Sequence, residues 1–220
     1  MDFTLIIGNR NYSSWSLRAW LVARFSGKSY EIKRILLDRP ESSAELLKFS
    51  PSALVPALRE GDWVINDSLA IGEYLNDCAP EAKLWPDDIH KRAQARSMSC
   101  EMHSGFAALR EEMPMNIRAT GRSIKPSTAC QKNIERVIEL WSQCLDESPA
   151  DRGGPWLFGR FSICDAMFVP VAFRFRTYSI ELPENCQAYV DHCYSDPLVA
   201  EWVSLALKET ERVETENVGT

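Results

Sequence analysis

Every strand-like run in this 220-residue chain falls within its first 67 positions, and helical periodicity takes over from residue 89. A chain patterned this way closes a small α/β unit first and then stacks helices against it. "FTLIIG" (residues 3–8) reads as a buried strand ending at Gly8, and "SLRAWLVARFSGK" as a helix closing at Gly27. "YEIKRILL" is β-like again, and "PALREGDWVIND" reads as a hairpin turning at Gly61-Asp62. "SLAIGEYLNDC" is then helical, with Leu69, Ile71, Tyr74, Leu75 and Cys78 mostly inward, and Ala79-Pro80 stops it. The order β-α-β-(irregular)-β-β-α predicts a mixed sheet in residues 1–80.

A linker is expected at 81–88, followed by an all-helical domain over 89–212 and a polar tail at 213–220 that frays. Residues 89–113 carry one helical pattern up to Pro114. Residues 126–147 repeat it, with Pro126 suited to the first turn. Further helices are predicted from Ser162 and from Asp196-Pro197.

Charge and cysteine usage narrow the function. Lys and Arg total 25 against 31 Asp and Glu, a net charge of −6, and no basic cluster interleaved with aromatics occurs. Nucleic acid is therefore excluded as the expected partner. Seven cysteines (78, 100, 130, 144, 164, 186 and 193) contain no C-x-x-C pair, so reduced, partly buried thiols are expected. His90, His103 and His192 are too scattered for a metal cluster, and no metal is expected. "MDFTLIIGNR" is too short and too acidic for a signal peptide, and "MFVPVAF" is too short to span a bilayer. The expectation is a soluble, cytoplasmic protein.

Four segments carry candidate chemistry. Ser13-Ser14-Trp15-Ser16 opens the first helix, where unpaired N–H groups and the helix dipole favour an anion. Either serine also fits an ordinary N-cap, although neither is followed three residues later by Glu or Gln. Val55-Pro56 enters the hairpin either as a plain edge proline or through a cis bond that turns the Val55 backbone outward. Asp67-Ser68 opens the next helix, as a cap or as a cradle for a carboxylate beside an ammonium group. Ser162, with Asp165 three residues on, reads as a structural capping box.

Together these segments resemble the cytosolic glutathione transferases. "SSWSLRAWLVARFSG" is similar to the serine-type zeta-class signature S-S-C-S-W-R-V-R, and "LVPAL", "NDSLAIGEYL" and "FSICDAM" resemble further segments of that family. The resemblance implies a thioredoxin-like N-terminal domain, an all-α C-terminal domain and a homodimer. It implies that Ser13 donates to the glutathione sulfur, with Ser14 the neighbouring candidate. Val55, ahead of Pro56, pairs with the cysteinyl backbone, and Asp67 and Ser68 hold the γ-glutamyl end. "CEMHSGF" is similar to a beta-class segment whose histidine faces the active site. His103, Phe106 and Arg110 then fall on one helix face and are expected to wall the second-substrate site. The chain departs from the family at Trp15, which replaces the signature's cysteine, at Trp20, which replaces its second arginine, and at Leu54, where many relatives place Lys or Gln.

The hydroxyls suit this chemistry in magnitude. A thiol of pKa ~8.5 is only a few per cent thiolate at neutral pH, and lowering it by about two units takes roughly 2.7 kcal/mol. One hydrogen bond to an anion contributes about 1.5–3 kcal/mol, and a helix start about 0.3–1 more. The expected activity is conjugation of glutathione to small apolar electrophiles. A glutathione-dependent isomerase or peroxidase and a non-catalytic carrier are the alternatives.

Overall fold

The computed structural model describes residues 3–219; Met1, Asp2 and Thr220, including the acidic start weighed above, lie outside the described residues. Strand β1 (Phe3–Ile7) leads into helix α1 (Ser14–Phe25), strand β2 (Tyr30–Arg34) and a short α2 (Ser42–Leu46). The hairpin β3 (Ala57–Glu60) and β4 (Trp63–Asn66) precedes α3 (Ser68–Cys78). The helical half contains α4 (Ile89–Ser104), α5 (Ala107–Glu112), α6 (Thr128–Leu145), α7 (Pro149–Arg152), α8 (Ile163–Thr177), α9 (Glu184–Ser195) and α10 (Pro197–Leu207).

The sheet runs in the order β2-β1-β3-β4. The β1–β2 pair is parallel, with Leu5 opposite Ile32, and the β1–β3 and β3–β4 pairs are antiparallel. This is the thioredoxin-like arrangement, followed by an all-helical half, that the resemblance implied. Helix α1 is buried along most of its length and packs against α3 on its own side and α8 and α10 on the other. The tilted pair Trp20–Trp202, with ring centroids 5.2 Å apart, closes that seam.

Helix α8 is the spine of the helical half, and of its residues only Arg176 escapes burial. Asp165, in its first turn, accepts hydrogen bonds from Leu157 N (3.0 Å), Ser162 N (2.8 Å), Ser162 Oγ (2.8 Å) and Tyr189 Oη (3.2 Å). It therefore acts as the structural cap read from the sequence. Burial pushes its carboxyl up to about 6, against the pull of those donors.

Three expectations need correction. The single pattern over 89–113 is two helices, because Gly105 ends α4 and Phe106 takes a left-handed φ of 57°. A Cβ at Gly105 would stand 2.7 Å from the Glu101 carbonyl, so the break is built into the backbone there. Pro126 stands ahead of the Ser127 N-cap of α6, not inside its first turn. The 213–219 segment does not fray. Arg122 Nη1 donates to the carbonyl of Gly219 (2.6 Å), and Asn116 Nδ2 donates to Asn217 Oδ1 (3.0 Å). No helix among the described residues is long and apolar enough to cross a membrane.

The Asp165 environment makes a testable statement. Its folded-state pKa lies above the unfolded value of ~3.9, so the stabilisation that its protonated form provides is complete below about pH 4 and disappears as the pH rises through about 6. Urea titrations of the wild type and Asp165→Asn should show the wild type losing about 3 kcal/mol relative to the variant over that window, with no further change above it.

Candidate active site

The start of α1 opens at the seam between the two halves. Ser13 is its N-cap: its Oγ accepts from Ser16 N (3.3 Å) and donates to Ser16 Oγ (2.8 Å), which in turn accepts from Gly8 N (3.0 Å). Ser14 Oγ accepts from Arg174 Nη2 at 3.3 Å, which leaves the Ser14 hydroxyl proton uncommitted. Both serines line a cavity of about 480 Å³, together with Leu54, Val55, Arg110 and Arg174.

The Val55-Pro56 bond is cis, and no hydrogen bond among the described residues uses the Val55 backbone. Pro56 lies at the entry to β3. Asp67 caps α3 with a positive φ of 79°, its Oδ1 accepting from Leu69 N (2.8 Å) and Ala70 N (3.1 Å). Ser68 is fully buried and its Oγ has no partner, an orphaned hydroxyl beside a carboxylate.

The helical-half candidates separate. Arg110 lines the cavity, its guanidinium also reaching the carbonyls of Met102 (3.4 Å) and His103 (3.3 Å). His103 Nε2 sits 2.5 Å from Asp67 Oδ2, so it joins the γ-glutamyl-side candidates across the seam instead of walling the cavity. Phe106 is a core residue at the break between α4 and α5 and does not line the cavity. The reason is the same Gly105 break, which removes Phe106 from the helix face that periodicity assigned to it.

The strongest feature of the site was not read from the sequence. Trp15 is a platform for cations: the Arg18 guanidinium lies 4.2 Å and that of Arg110 5.4 Å from its ring centroid, and the His103 ring meets it edge-on at 5.5 Å. Arg18 is buried, and its Nε and Nη1 have no hydrogen-bond partner among the described residues. Burial first, then Arg174 and Arg110, lowers its pKa to about 9. Arg174 is also buried; its guanidinium donates to the carbonyls of Arg110 and Met113, and burial lowers its pKa to about 10. All three arginines stay charged at neutral pH, and none of them makes an ion pair among the described residues. The available signal was an arginine inside the apolar run "MFVPVAFRF", a residue type that is almost never fully buried without a partner.

No cysteine lines the cavity. Burial raises Cys130 to about 11 and Cys144 to about 12, and pushes Cys164, Cys186 and Cys193 upward as well.

A four-stranded mixed sheet joined to a helical half, with a serine-lined cavity at the seam, defines a class of folds, and comparison with known proteins narrows it. Residues 12–78 match the family model for the glutathione S-transferase N-terminal domain, and residues 102–192 match that for the C-terminal domain. Among curated relatives, the chain is 44% identical over 139 residues to glutathione S-transferase Z2 of Arabidopsis thaliana, which covers 60% of this chain and 62% of that protein. It is 37% identical over 100 residues to a probable maleylacetoacetate isomerase of Caenorhabditis elegans, covering 46% of each. The chain thus spans about half to three fifths of the length of these relatives. A solved glutathione transferase homologue from Burkholderia GL BGR1, with bound glutathione, shares the fold at a TM-score of 0.71 and 24% identity, covering 94% of this chain and 98% of that one. The chain belongs to the glutathione S-transferase family.

A buried charge without a partner lowers stability, so its replacement by an apolar side chain of similar length should raise it. Arg18→Met is expected to increase the unfolding free energy by about 1–3 kcal/mol in a urea titration. A loss of that size would mean that the guanidinium is held by contacts other than those described.

Proposed function

We propose that this chain is a glutathione-dependent enzyme whose thiolate adds to a small electrophile carrying a carboxylate. One observation carries the reading: a single cavity brings Ser13, Ser14 and Val55 together with the guanidiniums of Arg110 and Arg174, neither of which has an ion-pair partner among the described residues. The orphaned Ser68 hydroxyl beside Asp67 supports a ligand with a carboxylate next to an ammonium group, which is the chemistry of a γ-glutamyl end. His103 holds the second Asp67 oxygen in place.

In this reading Ser13 turns its proton from Ser16 towards the sulfur, while Ser16 keeps the Gly8 N–H. Ser14 then serves as a second donor oriented by Arg174. The three arginines add positive potential, which favours thiolate over thiol and anionic substrate over neutral. That charge favours a carboxylate-bearing electrophile over the purely apolar one expected from the sequence. Homodimer assembly and a cytoplasmic setting are carried over from the resemblance as part of the same proposal.

Transfer ends with a stable thioether. A second reading, isomerisation, is favoured by the basic cavity and by curated relatives named probable maleylacetoacetate isomerase in Caenorhabditis elegans and Vibrio cholerae. In that case the thiolate adds to a conjugated double bond, the resulting single bond rotates, and expulsion of the thiolate restores glutathione. Product analysis separates the two: an adduct means transfer, and unchanged glutathione with a rearranged substrate means isomerisation.

Three measurements test the proposal. With saturating glutathione, the thiolate absorbance near 240 nm should be present in the wild type and reduced in Ser13→Ala. The loss in kcat/KM should be on the order of 100-fold for Ser13→Ala and about tenfold for Ser14→Ala. The reverse order would move the sulfur contact to Ser14. Chloroacetate should be turned over with about tenfold higher kcat/KM than chloroacetamide at low salt, with the gap narrowing as salt rises. Preference for the neutral compound would sink the anionic-substrate reading.

A further inference from the structure

After α10 the chain crosses back over the seam as a strap, residues 209–219, pinned at both ends. At one end the buried Glu209 carboxylate accepts from Arg34 Nη1 (2.7 Å), Asn11 N (3.2 Å) and Arg10 Nη1 (3.4 Å). Arg118 donates to the carbonyls of Glu209 and Glu211 and to Tyr12 Oη (3.1 Å). At the other end the contacts of Asn116 and Arg122 described above hold Asn217 and Gly219. Between these anchors the strap hangs over the cavity, and Val213, Thr215 and Glu216 form part of its wall.

Glu216 differs both from the ion-paired Glu209 and Glu211 of the strap and from its exposed Glu214. Glu209 and Glu211 are ion-paired to arginines of the sheet half, whereas the Glu216 carboxylate makes neither a hydrogen bond nor an ion pair among the described residues. It is half-buried in the same cavity as Arg110 and Arg174, where burial raises its pKa and Arg174 counteracts that rise. Asp38 is the other acidic residue lining the cavity, and its charge adds to the rise at Glu216. The void thus holds an unpaired carboxylate and unpaired guanidiniums within one enclosure.

We propose that Glu216 is a specificity-determining residue that acts as an internal competitor: it supplies the negative charge facing Arg174 in the free protein, and the carboxylate of the second substrate has to enter against it. This rests on the reading of the Arg110–Arg174 cavity as the second-substrate site. It adds to that reading a residue that weakens the binding of anions while leaving that of neutral ligands of the same shape unaffected. The anchored ends of the strap keep Glu216 over the cavity, so its charge acts on each entering ligand. Two like charges about 6 Å apart at an interfacial dielectric differ from one charge and a neutral group by enough to change affinity about tenfold.

The test uses succinate as the anionic probe and succinamide as its neutral counterpart, with calorimetric binding measured both without glutathione and at saturating glutathione. Glu216→Gln keeps shape and removes charge. It should bind succinate about tenfold more tightly than the wild type and succinamide equally well, and Asp38→Asn should have a smaller effect on succinate. Unchanged or weaker succinate binding in Glu216→Gln overturns the proposal. So does an equal gain for both probes, which would make the strap a steric cover only. If glutathione itself does not bind, the proposed function fails, while the succinate comparison without glutathione still decides the role of Glu216.

Discussion

Helix α1 is buried between the sheet and the helical half, and this constraint shapes everything around it. Leu17, Ala19, Trp20, Leu21, Val22 and Ala23 are almost wholly excluded from water, so both halves have to close on the same helix. Burying a helix on all sides forces its ends to the boundary between the layers it joins. The α1 start therefore opens at the seam, with Ser13 and Ser14 lining the cavity that the two halves leave between them. Position and polarity of the site follow from packing.

Charge runs against composition at this seam. The chain carries a net charge of −6, yet Arg18, Arg110 and Arg174 converge near Trp15 without an ion-pair partner among the described residues. Ordinary folding has no use for such a cluster, because desolvating a guanidinium without a carboxylate costs stability. Departures from consistency of this kind concentrate where a protein binds or reacts. The indole of Trp15 offsets part of the cost, and this gives a physical role to a residue that had looked only like a lost cysteine.

Much of the fold was legible because it rests on local chemistry. Gly61-Asp62 between two apolar runs dictates a tight hairpin, and Asp67 and Ser162 mark helix starts through the hydrogen bonds that their neighbourhoods demand. Ser13, Ser14 and Val55 were legible as a constellation because order and spacing survive in one dimension. What escaped reading is non-local. The break at Gly105–Phe106 interrupts a pattern whose periodicity looks continuous, since a polar face on either side of it reads alike. The strap reads as a loose tail by composition, but its order comes from Arg10, Arg34, Arg118 and Arg122, each roughly 90 to 200 positions away in the chain. Arg174 sits in a helix whose apolar neighbours marked it as core, and only the approach of α1 turns it towards Ser14.

The buried, weakly acidic cysteines have a consequence for durability. Alkylating compounds attack a thiol in its thiolate form. Cys130, Cys144, Cys164, Cys186 and Cys193 are held in their protonated form, and no cysteine lies on the cavity wall, so the cleft offers an electrophile no thiolate of the protein's own. Among the seven cysteines, Cys100 is the one exposed to solvent, so alkylation of the polypeptide begins at the surface and outside the cavity.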